Sequence, residues 1–220
     1  MFNSIFFYKE CFKGRSLLRS FQNLNIKQNV KIHGKCLDLG SKNTNPSYYE
    51  FINKTKNCEI TFSDLNSKDK KILSFDFNKK FPIQNNEFDN ILVFNVLEHV
   101  YETKNLLSES YRILKNNGKL YGVVPFLFLY HKDPSDYWRF THEVLEKLLK
   151  ETGYKKIKII KHGTGVFAVI NSMYSQRLRF KILIYSSWWL GFILDSFYKK
   201  FLKKNKIENI YLGLYFECEK

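Results

Sequence analysis

The chain has 220 residues, 44% hydrophobic and 26% charged, enough to fill the core of one domain, with or without an embellishment. Its 36 Lys and Arg against 21 Asp and Glu leave a net charge of +15, a field that attracts nucleic acid, anionic lipid or phosphorylated substrates, or belongs to a lysine-rich solvated surface. Cysteines at 11, 36, 58 and 218 form no Cys-x-x-Cys pair and no tightly spaced framework, which argues against a structural zinc site and for a reducing compartment.

Residues 1–30 alternate aromatic and basic side chains, with Phe2, Phe6, Phe7, Phe12, Leu17, Leu18 and Phe21 at mixed spacing; short helices are expected, forming an N-terminal cap. Ile5 to Tyr8 is too short for the apolar stretch of a secretion signal, so a cytoplasmic protein is expected. Lys35 to Leu39 is a compact strand stopped by Gly40. Pro46 can open a helix whose face carries Tyr48, Phe51 and Ile52. Ile60 to Phe62 and Ile72 to Phe77 read as the second and third strands. Ile91 to Val96 is the unbroken apolar run of a strand covered on both faces.

A helix over 103–115 carries Leu106, Leu107, Tyr111 and Leu114 on one side and ends at Asn117-Gly118 as a left-handed cap. Leu120 to Val124 is a strand closed by Pro125. Thr141 caps a helix with Val144, Leu145, Leu148 and Leu149 as its stripe and Gly153 as its stop. Ile157 to Ile160 and Ile210 to Phe216 are the final strands. The alternation predicts an α/β fold, a Rossmann-like, seven-stranded, mostly parallel sheet with helices on both faces and a helical insert before the last strand. The expected division is a cap over 1–30, a core over 31–165 plus 207–220, and an insert over 166–206.

That insert contains Ile182 to Leu194, 13 uncharged residues that include Trp188-Trp189, short of the ~20 needed to cross a bilayer. Arg177, Arg179 and Lys181 precede it; Lys199, Lys200, Lys203, Lys204 and Lys206 follow, against Asp195 alone. Tryptophans beside an apolar run with basic flanks suit the surface of an anionic membrane over 177–206, placing the protein on the membrane's inner face. The alternative is a hydrophobic helix packed on the domain or on a second subunit.

Ligands of open α/β sheets bind outside the carboxyl ends of the strands, where the strand order reverses. Four segments end there in acidic or polar residues: Cys36-Leu37-Asp38-Leu39-Gly40-Ser41, Thr61 to Asp64, Phe75-Asp76-Phe77, and Phe88 to Val100. Gly40 lets the backbone approach a ligand. A carboxylate at 64 can accept from the hydroxyls of a ribose. A carboxylate at 76 can accept from an adenine amine, with Phe77 packed on the ring.

The order of these segments, with Phe81-Pro82-Ile83, Glu87-Phe88-Asp89, Leu97-Glu98-His99-Val100 and Arg112-Ile113-Leu114-Lys115, resembles the class I S-adenosylmethionine (SAM)-dependent methyltransferases of type 11. The resemblance spans about 35–165. It implies S-adenosyl-L-methionine as cofactor, with Asp38, Gly40 and Ser41 at its methionine end, Asp64 and Leu65 at the ribose, Asp76 and Phe77 at the adenine, and Asn95 at the sulfonium. Lys42 stands where the family's second loop glycine is expected, which puts the loop geometry in question. The glycine fingerprint of nicotinamide-binding folds is absent after the first strand.

His131-Lys132-Asp133-Pro134-Ser135-Asp136-Tyr137-Trp138-Arg139-Phe140-Thr141 resembles a segment of a subgroup associated with surface-polysaccharide and lipid-linked glycan synthesis. It follows the fifth strand and is expected to overhang the acceptor side. His131 can take a proton from a hydroxyl near neutral pH, and His99 competes for that role. Asp136 can orient His131 or bind a sugar hydroxyl, Tyr137 and Trp138 can stack on a sugar, and Arg139 can grip a carboxylate or phosphate. A structural reading stands beside this one, with Arg139 paired to Asp136 and the aromatic rings anchoring the loop. His33, His142 and His162 read as structural or surface residues. No metal is implied, since no His/Cys/Asp cluster has ligand spacing along the chain.

The leading expectation is O-methylation of a sugar, glycan-lipid or other small-molecule acceptor. An RNA methyltransferase would use the charge, but the fourth strand ends in Asn95-Val96-Leu97-Glu98 and not the Asn/Asp-Pro-Pro-Tyr of base-amino methylation, which disfavours nucleic acid. A methyltransferase fold kept for binding, without catalysis, is the third reading, with Lys42 as its support. The oligomeric state is not legible.

Overall fold

In the computed structural model, residues 4–175, 177–201 and 209–220 are described. Two helices lead, α1 (Ser4–Phe12) and α2 (Leu17–Asn29). The Ser16 side chain accepts the Arg19 N–H at 3.2 Å and starts α2, a cap worth about 1 kcal/mol. Phe2 lies outside the described residues. Two short strands, β1 (Lys31–Ile32) and β3 (Asn53–Lys54), pair beside the main sheet.

The main sheet takes its strands from β2 (Lys35–Leu39), β4 (Glu59–Asp64), β5 (Ile72–Ser74), β6 (Phe88–Phe94), β7 (Leu114–Pro125), β8 (Lys155–His162) and β9 (Gly213–Glu219). Their order in space is β5-β4-β2-β6-β7-β9-β8. β9 runs antiparallel to both β7 and β8; the other pairings are parallel. The chain leaves β2 towards β4 and β5, then returns to β6 on β2's other side. That reversal places a crevice at the carboxyl ends of β2, β4 and β6.

Burial follows the apolar runs. On one face, α3 (Thr103–Ile113) contributes Leu106 and Leu107, and α4 (His142–Thr152) contributes Leu145 and Leu149, packed on Leu37, Ile91 and Leu120. Each such side chain stabilises the core by about 2 kcal/mol. On the other face α2 sets Ile26 against Cys36, Leu92, Phe94 and Tyr215. Thr141 caps α4 through the Val144 N–H, and Gly153 stops it at φ 105°. Val144 itself is exposed.

Three expectations about local structure change. The segment after Pro46 is a single 3-10 turn over Tyr49–Phe51, because the Tyr48 and Tyr49 hydroxyls both donate to the buried Asp38 carboxylate, at 2.7 and 3.0 Å. Tyr48 and Ile52 pack in one cluster with Ile26 of α2. The third strand stops at Ser74, so Phe75-Asp76-Phe77 is loop. Asn117 is left-handed (φ 63°), but it lies inside the first stretch of β7, past the end of α3 at Ile113.

The insert comprises α5 (Val166–Ser175) and α6 (Lys181–Phe201). The buried Asp195 carboxylate on α6 accepts the Phe167 and Ala168 N–H groups at the start of α5, at 3.1 and 2.9 Å. Trp188 is buried and donates to Ser175 Oγ at 3.2 Å. This face of α6 therefore packs on the domain, beside Phe7 and Cys11 of α1. The opposite face exposes Ile182, Leu183, Trp189, Leu190, Ile193 and Phe197. No helix among the described residues is long and apolar enough to cross a membrane. Lys203, Lys204 and Lys206 lie outside the described residues.

Candidate active site

A hollow of about 230 Å³ opens at the strand reversal, lined by Gly40, Lys42, Asp64, Leu65, Asn66, Phe77, Asn78, Asn95, Val96, His99 and the Asp133-Pro134 turn, among others. Gly40 sits at φ 74°, and a Cβ there would stand 2.5 Å from Val96 Cγ2. Both facts demand glycine, and together they leave the loop backbone facing the hollow. Lys42 does not adopt a positive φ, so its position asks for no glycine. Asp64 ends β4 with Oδ1 accepting the Leu65 N–H at 2.9 Å. Phe77 enters from the loop after β5, held there by Asn105 Nδ2 donating to the Phe77 and Lys79 carbonyls.

Of the eight residues expected around a cofactor, Gly40, Asp64, Leu65, Phe77 and Asn95 share this hollow. Ser41 lines the adjoining one and turns its hydroxyl to the Asn43 carbonyl at 2.6 Å. Asp38 lines neither. It is fully buried beneath Tyr48 and Tyr49, and burial lifts its carboxyl to about 7 against the pull of those two hydroxyls. It shapes the loop from below. Asp76 also lines neither hollow, because the early end of β5 leaves it closing a turn, where Oδ1 accepts the Asn78 N–H and Nδ2 at 2.9 Å. Asn78 takes the place beside Phe77.

A second hollow, about 560 Å³, continues from the first and shares Gly40, Lys42, Asn95, His99 and Asp133 with it. Its far wall is α2, with Arg19 and Gln22, and its roof is the loop after β7, with Phe128 and His131. Asn95, left-handed at φ 55°, exchanges hydrogen bonds with Gln22: Gln22 Nε2 donates to Oδ1 at 2.6 Å and Asn95 Nδ2 to Oε1 at 3.2 Å. α2 thus closes over the site. Arg19 is half-buried, and desolvation lowers its pKa while neighbouring Tyr48 and Glu98 raise it. No hydrogen bond or ion pair of its guanidinium occurs among the described residues.

The loop after β7 brings its residues together in a definite way. Arg139 forms a bidentate pair with Asp136, at 2.5 and 2.7 Å, and also donates to the Leu129 and Trp138 carbonyls. Asp136 accepts the His131 N–H at 2.8 Å. Burial would raise the Asp136 carboxyl, but the Arg139 fork and the His131 amide outweigh it and hold it near 2. Arg139 is therefore engaged by Asp136 and is not free to grip an anion. Tyr137 and Trp138 are exposed, with the Trp138 indole donating to the Val100 and Tyr101 carbonyls.

His99 and His131 meet edge to face, centroids 5.1 Å apart. His99 Nδ1 donates to the Ser135 carbonyl at 2.5 Å and His131 Nδ1 to the Leu129 carbonyl at 3.0 Å. These bonds fix both tautomers and leave each Nε2 a bare lone pair. Burial lowers the His99 pKa, with the Ser135 carbonyl opposing. Both Nε2 atoms face Oε1 of Glu98, at 3.8 and 3.9 Å. Glu98 is completely buried, and desolvation raises its carboxyl to about 8. The expectation that no ligating cluster exists changes here: spacing along the chain hid a grouping that the fold assembles. Glu98, Arg19 and Gln22 were not among the expected site residues. The Leu-Glu-His-Val motif carried a signal for Glu98; nothing local marked the two helical residues.

The sequence of residues 53–122 matches the family described as Methyltransferase domain. No curated protein sequence matches the chain. Among solved structures, a SAM-dependent methyltransferase from Archaeoglobus fulgidus aligns with TM-score 0.55 at 15% identity, covering 99% of this chain and all of that one. Phosphoethanolamine N-methyltransferase 2 from Haemonchus contortus, in complex with S-adenosyl-L-methionine, aligns with TM-score 0.54 at 18% identity over 90% of this chain. This chain spans about half (52%) of that enzyme's length. The [4+2]-cyclase SpnF aligns with TM-score 0.57 at 14% identity, over 90% of this chain and 79% of that one. These likenesses show the class I methyltransferase fold.

Proposed function

We propose that the chain is a SAM-dependent methyltransferase that O-methylates a hydroxyl of a sugar or glycan-lipid acceptor. The observation that carries the cofactor is the first hollow, where a glycine that tolerates no Cβ, a strand-end carboxylate and an aromatic ring converge from three separate segments. Gly40 would let the loop backbone meet the methionine end, Asp64 would accept from the ribose, and Phe77 would pack on the adenine. Bound SAM supplies a methyl on a sulfonium, whose thioether is already a good leaving group.

The protein's own work is then placement and proton handling. The second hollow holds the acceptor next to the first, and the bare Nε2 of His99 or His131 accepts the hydroxyl proton as the oxygen takes the methyl. Arg19 supplies a cation for a carboxylate or phosphate on that acceptor. The exposed apolar face of α6, flanked by Arg177, Arg179, Lys181, Lys199 and Lys200, fits an anionic membrane surface and with it a lipid-linked acceptor.

Calorimetric titration with SAM and with S-adenosylhomocysteine tests the cofactor. Micromolar binding is expected for the wild type, with loss of at least tenfold in a folded Asp64→Ala variant. No binding of either compound would make this a methyltransferase fold kept for another purpose. Salt-sensitive binding and methylation of RNA would replace the glycan acceptor with a nucleic acid.

A further inference from the structure

We infer that Glu98, His99 and His131 form a binding site for a divalent transition-metal cation, with open coordination positions facing the second hollow. Four observations point there. One ligand atom from each residue lies within 4.8 Å of the others. Each imidazole is oriented by an Nδ1–H bond to a backbone carbonyl, Ser135 for His99 and Leu129 for His131, which turns the bare Nε2 inward. That outer bond is the usual support of a metal-ligating histidine. The Glu98 side chain is completely buried, and neither of its oxygens receives a hydrogen bond from another residue. A buried carboxyl left so bare is costly unless something absent from the protein itself satisfies it.

The distances fit a site that tightens on loading. Metal bonds of about 2.1 Å put neighbouring ligand atoms roughly 3.0–3.4 Å apart. The Glu98 Oε1 to Nε2 separations are 3.8 and 3.9 Å, and all three ligand atoms lie within 4.8 Å of one another, so loading draws the three side chains together. His131 stands on the loop after β7, and its main-chain N–H is already bonded to Asp136, which Arg139 pins. The ion pair that removes Arg139 from substrate binding thereby positions the third ligand.

Two imidazoles and one carboxylate suit cations of intermediate softness, zinc, cobalt or iron(II), over magnesium or calcium. Three protein ligands leave room for water or an oxygen of the acceptor, the arrangement of a catalytic site and not a closed structural one. The role in methylation rests on the reading of the second hollow as the acceptor site. With a cation bound, the two lone pairs are spent on it, and the acceptor hydroxyl would be acidified by coordination and lose its proton to water in the open hollow, in place of proton pickup by an imidazole.

Protein stripped with chelator and desalted is titrated with zinc chloride by calorimetry, and with cobalt chloride while the visible d–d bands are recorded. One equivalent is expected to bind with micromolar or tighter affinity. Glu98→Gln and His131→Ala should each weaken it at least tenfold, while His142→Ala, on a half-buried histidine outside the site, leaves it unchanged. His131 lies in a half-exposed loop, so His131→Ala decides the matter if Glu98→Gln unfolds. Absence of binding to the wild type, or equal affinity in His131→Ala, overturns the site. The same samples titrated with SAM separate the two questions: cation binding without SAM binding removes the methyltransferase reading and keeps the metal, and the reverse removes the metal alone.

Discussion

Lys42 and Asp133 bridge the two loops that wall the site, Nζ to Oδ2 at 2.6 Å, and both residues line both hollows. Lys42 occupies the position where the resembled family carries a glycine, and the structure gives it a partner from the acceptor-side loop. The pair is exposed at both ends, so its worth in stability is under about 1 kcal/mol. Its charge bears on the ligand instead.

SAM carries one positive charge more than S-adenosylhomocysteine, and an unpaired Lys42 would oppose it. Asp133→Asn is therefore expected to raise the ratio of the SAM to the S-adenosylhomocysteine dissociation constant about two- to fivefold at low salt, and Lys42→Gln to lower it. Raising ionic strength to 1 M should flatten both differences. Calorimetry of the two ligands with the two variants measures this; an unchanged ratio in both would show that the pair does not feel the ligand's charge.

Arg19 faces the second hollow with no hydrogen bond or ion pair among the described residues. A half-buried guanidinium that faces an open hollow with no partner among the described residues is free to take an anionic group on the acceptor. Arg19→Lys should retain the charge but lose the planar fork, raising the acceptor KM at least tenfold with SAM affinity unchanged. If methylation of an anionic acceptor proceeds with the same KM in both proteins, Arg19 is a structural residue.

Much of the fold was legible because the strands are apolar runs stopped by marked residues. Gly40 after Leu39, Pro125 after Val124 and Thr141 before α4 all act as expected. What was not legible is where long-range contacts override local pattern. Tyr48 and Tyr49 have a helical neighbourhood, yet their hydroxyls are drawn to Asp38, ten and eleven residues earlier. Asp76 sits in the right motif but past the end of a three-residue strand. Arg139 looked available for an anion, and its bond to Asp136, three residues away, was one of the readings open from sequence. Gln22 meets Asn95 across 73 residues, a contact that no local spacing encodes.

His162 ends β8 buried, and neither ring nitrogen has a hydrogen-bond partner among the described residues. Desolvation alone drives its pKa down to about 3. The folded state keeps the ring neutral while the unfolded chain protonates it below about 6.5. Its contribution is therefore full above pH 6.5 and lost as pH falls towards 3. Between pH 7 and pH 4.5 the wild type should lose about 2–3 kcal/mol more than His162→Leu. Urea denaturation of both proteins at the two pH values reads this directly, and parallel losses would mean the ring is hydrated in the native state.

α6 divides its side chains cleanly between two environments. Trp188, Gly191 and Asp195 are buried against α5 and the domain, whereas Trp189, Ile193 and Phe197 are 49%, 44% and 58% exposed. Arg177, Arg179 and Lys181 stand before this face and Lys199 and Lys200 after it, and each cation close to an anionic bilayer adds about 1 kcal/mol. Because the three exposed side chains support no core, replacing all three with serine should change stability by less than about 1.5 kcal/mol in total. The same replacement should weaken co-sedimentation with phosphatidylserine-containing vesicles at least tenfold. Wild-type binding should fall in 0.5 M salt and be weak on phosphatidylcholine alone. A wild type that ignores anionic vesicles but forms a dimer, dispersed by the serine substitutions, would assign this face to a second copy of the chain.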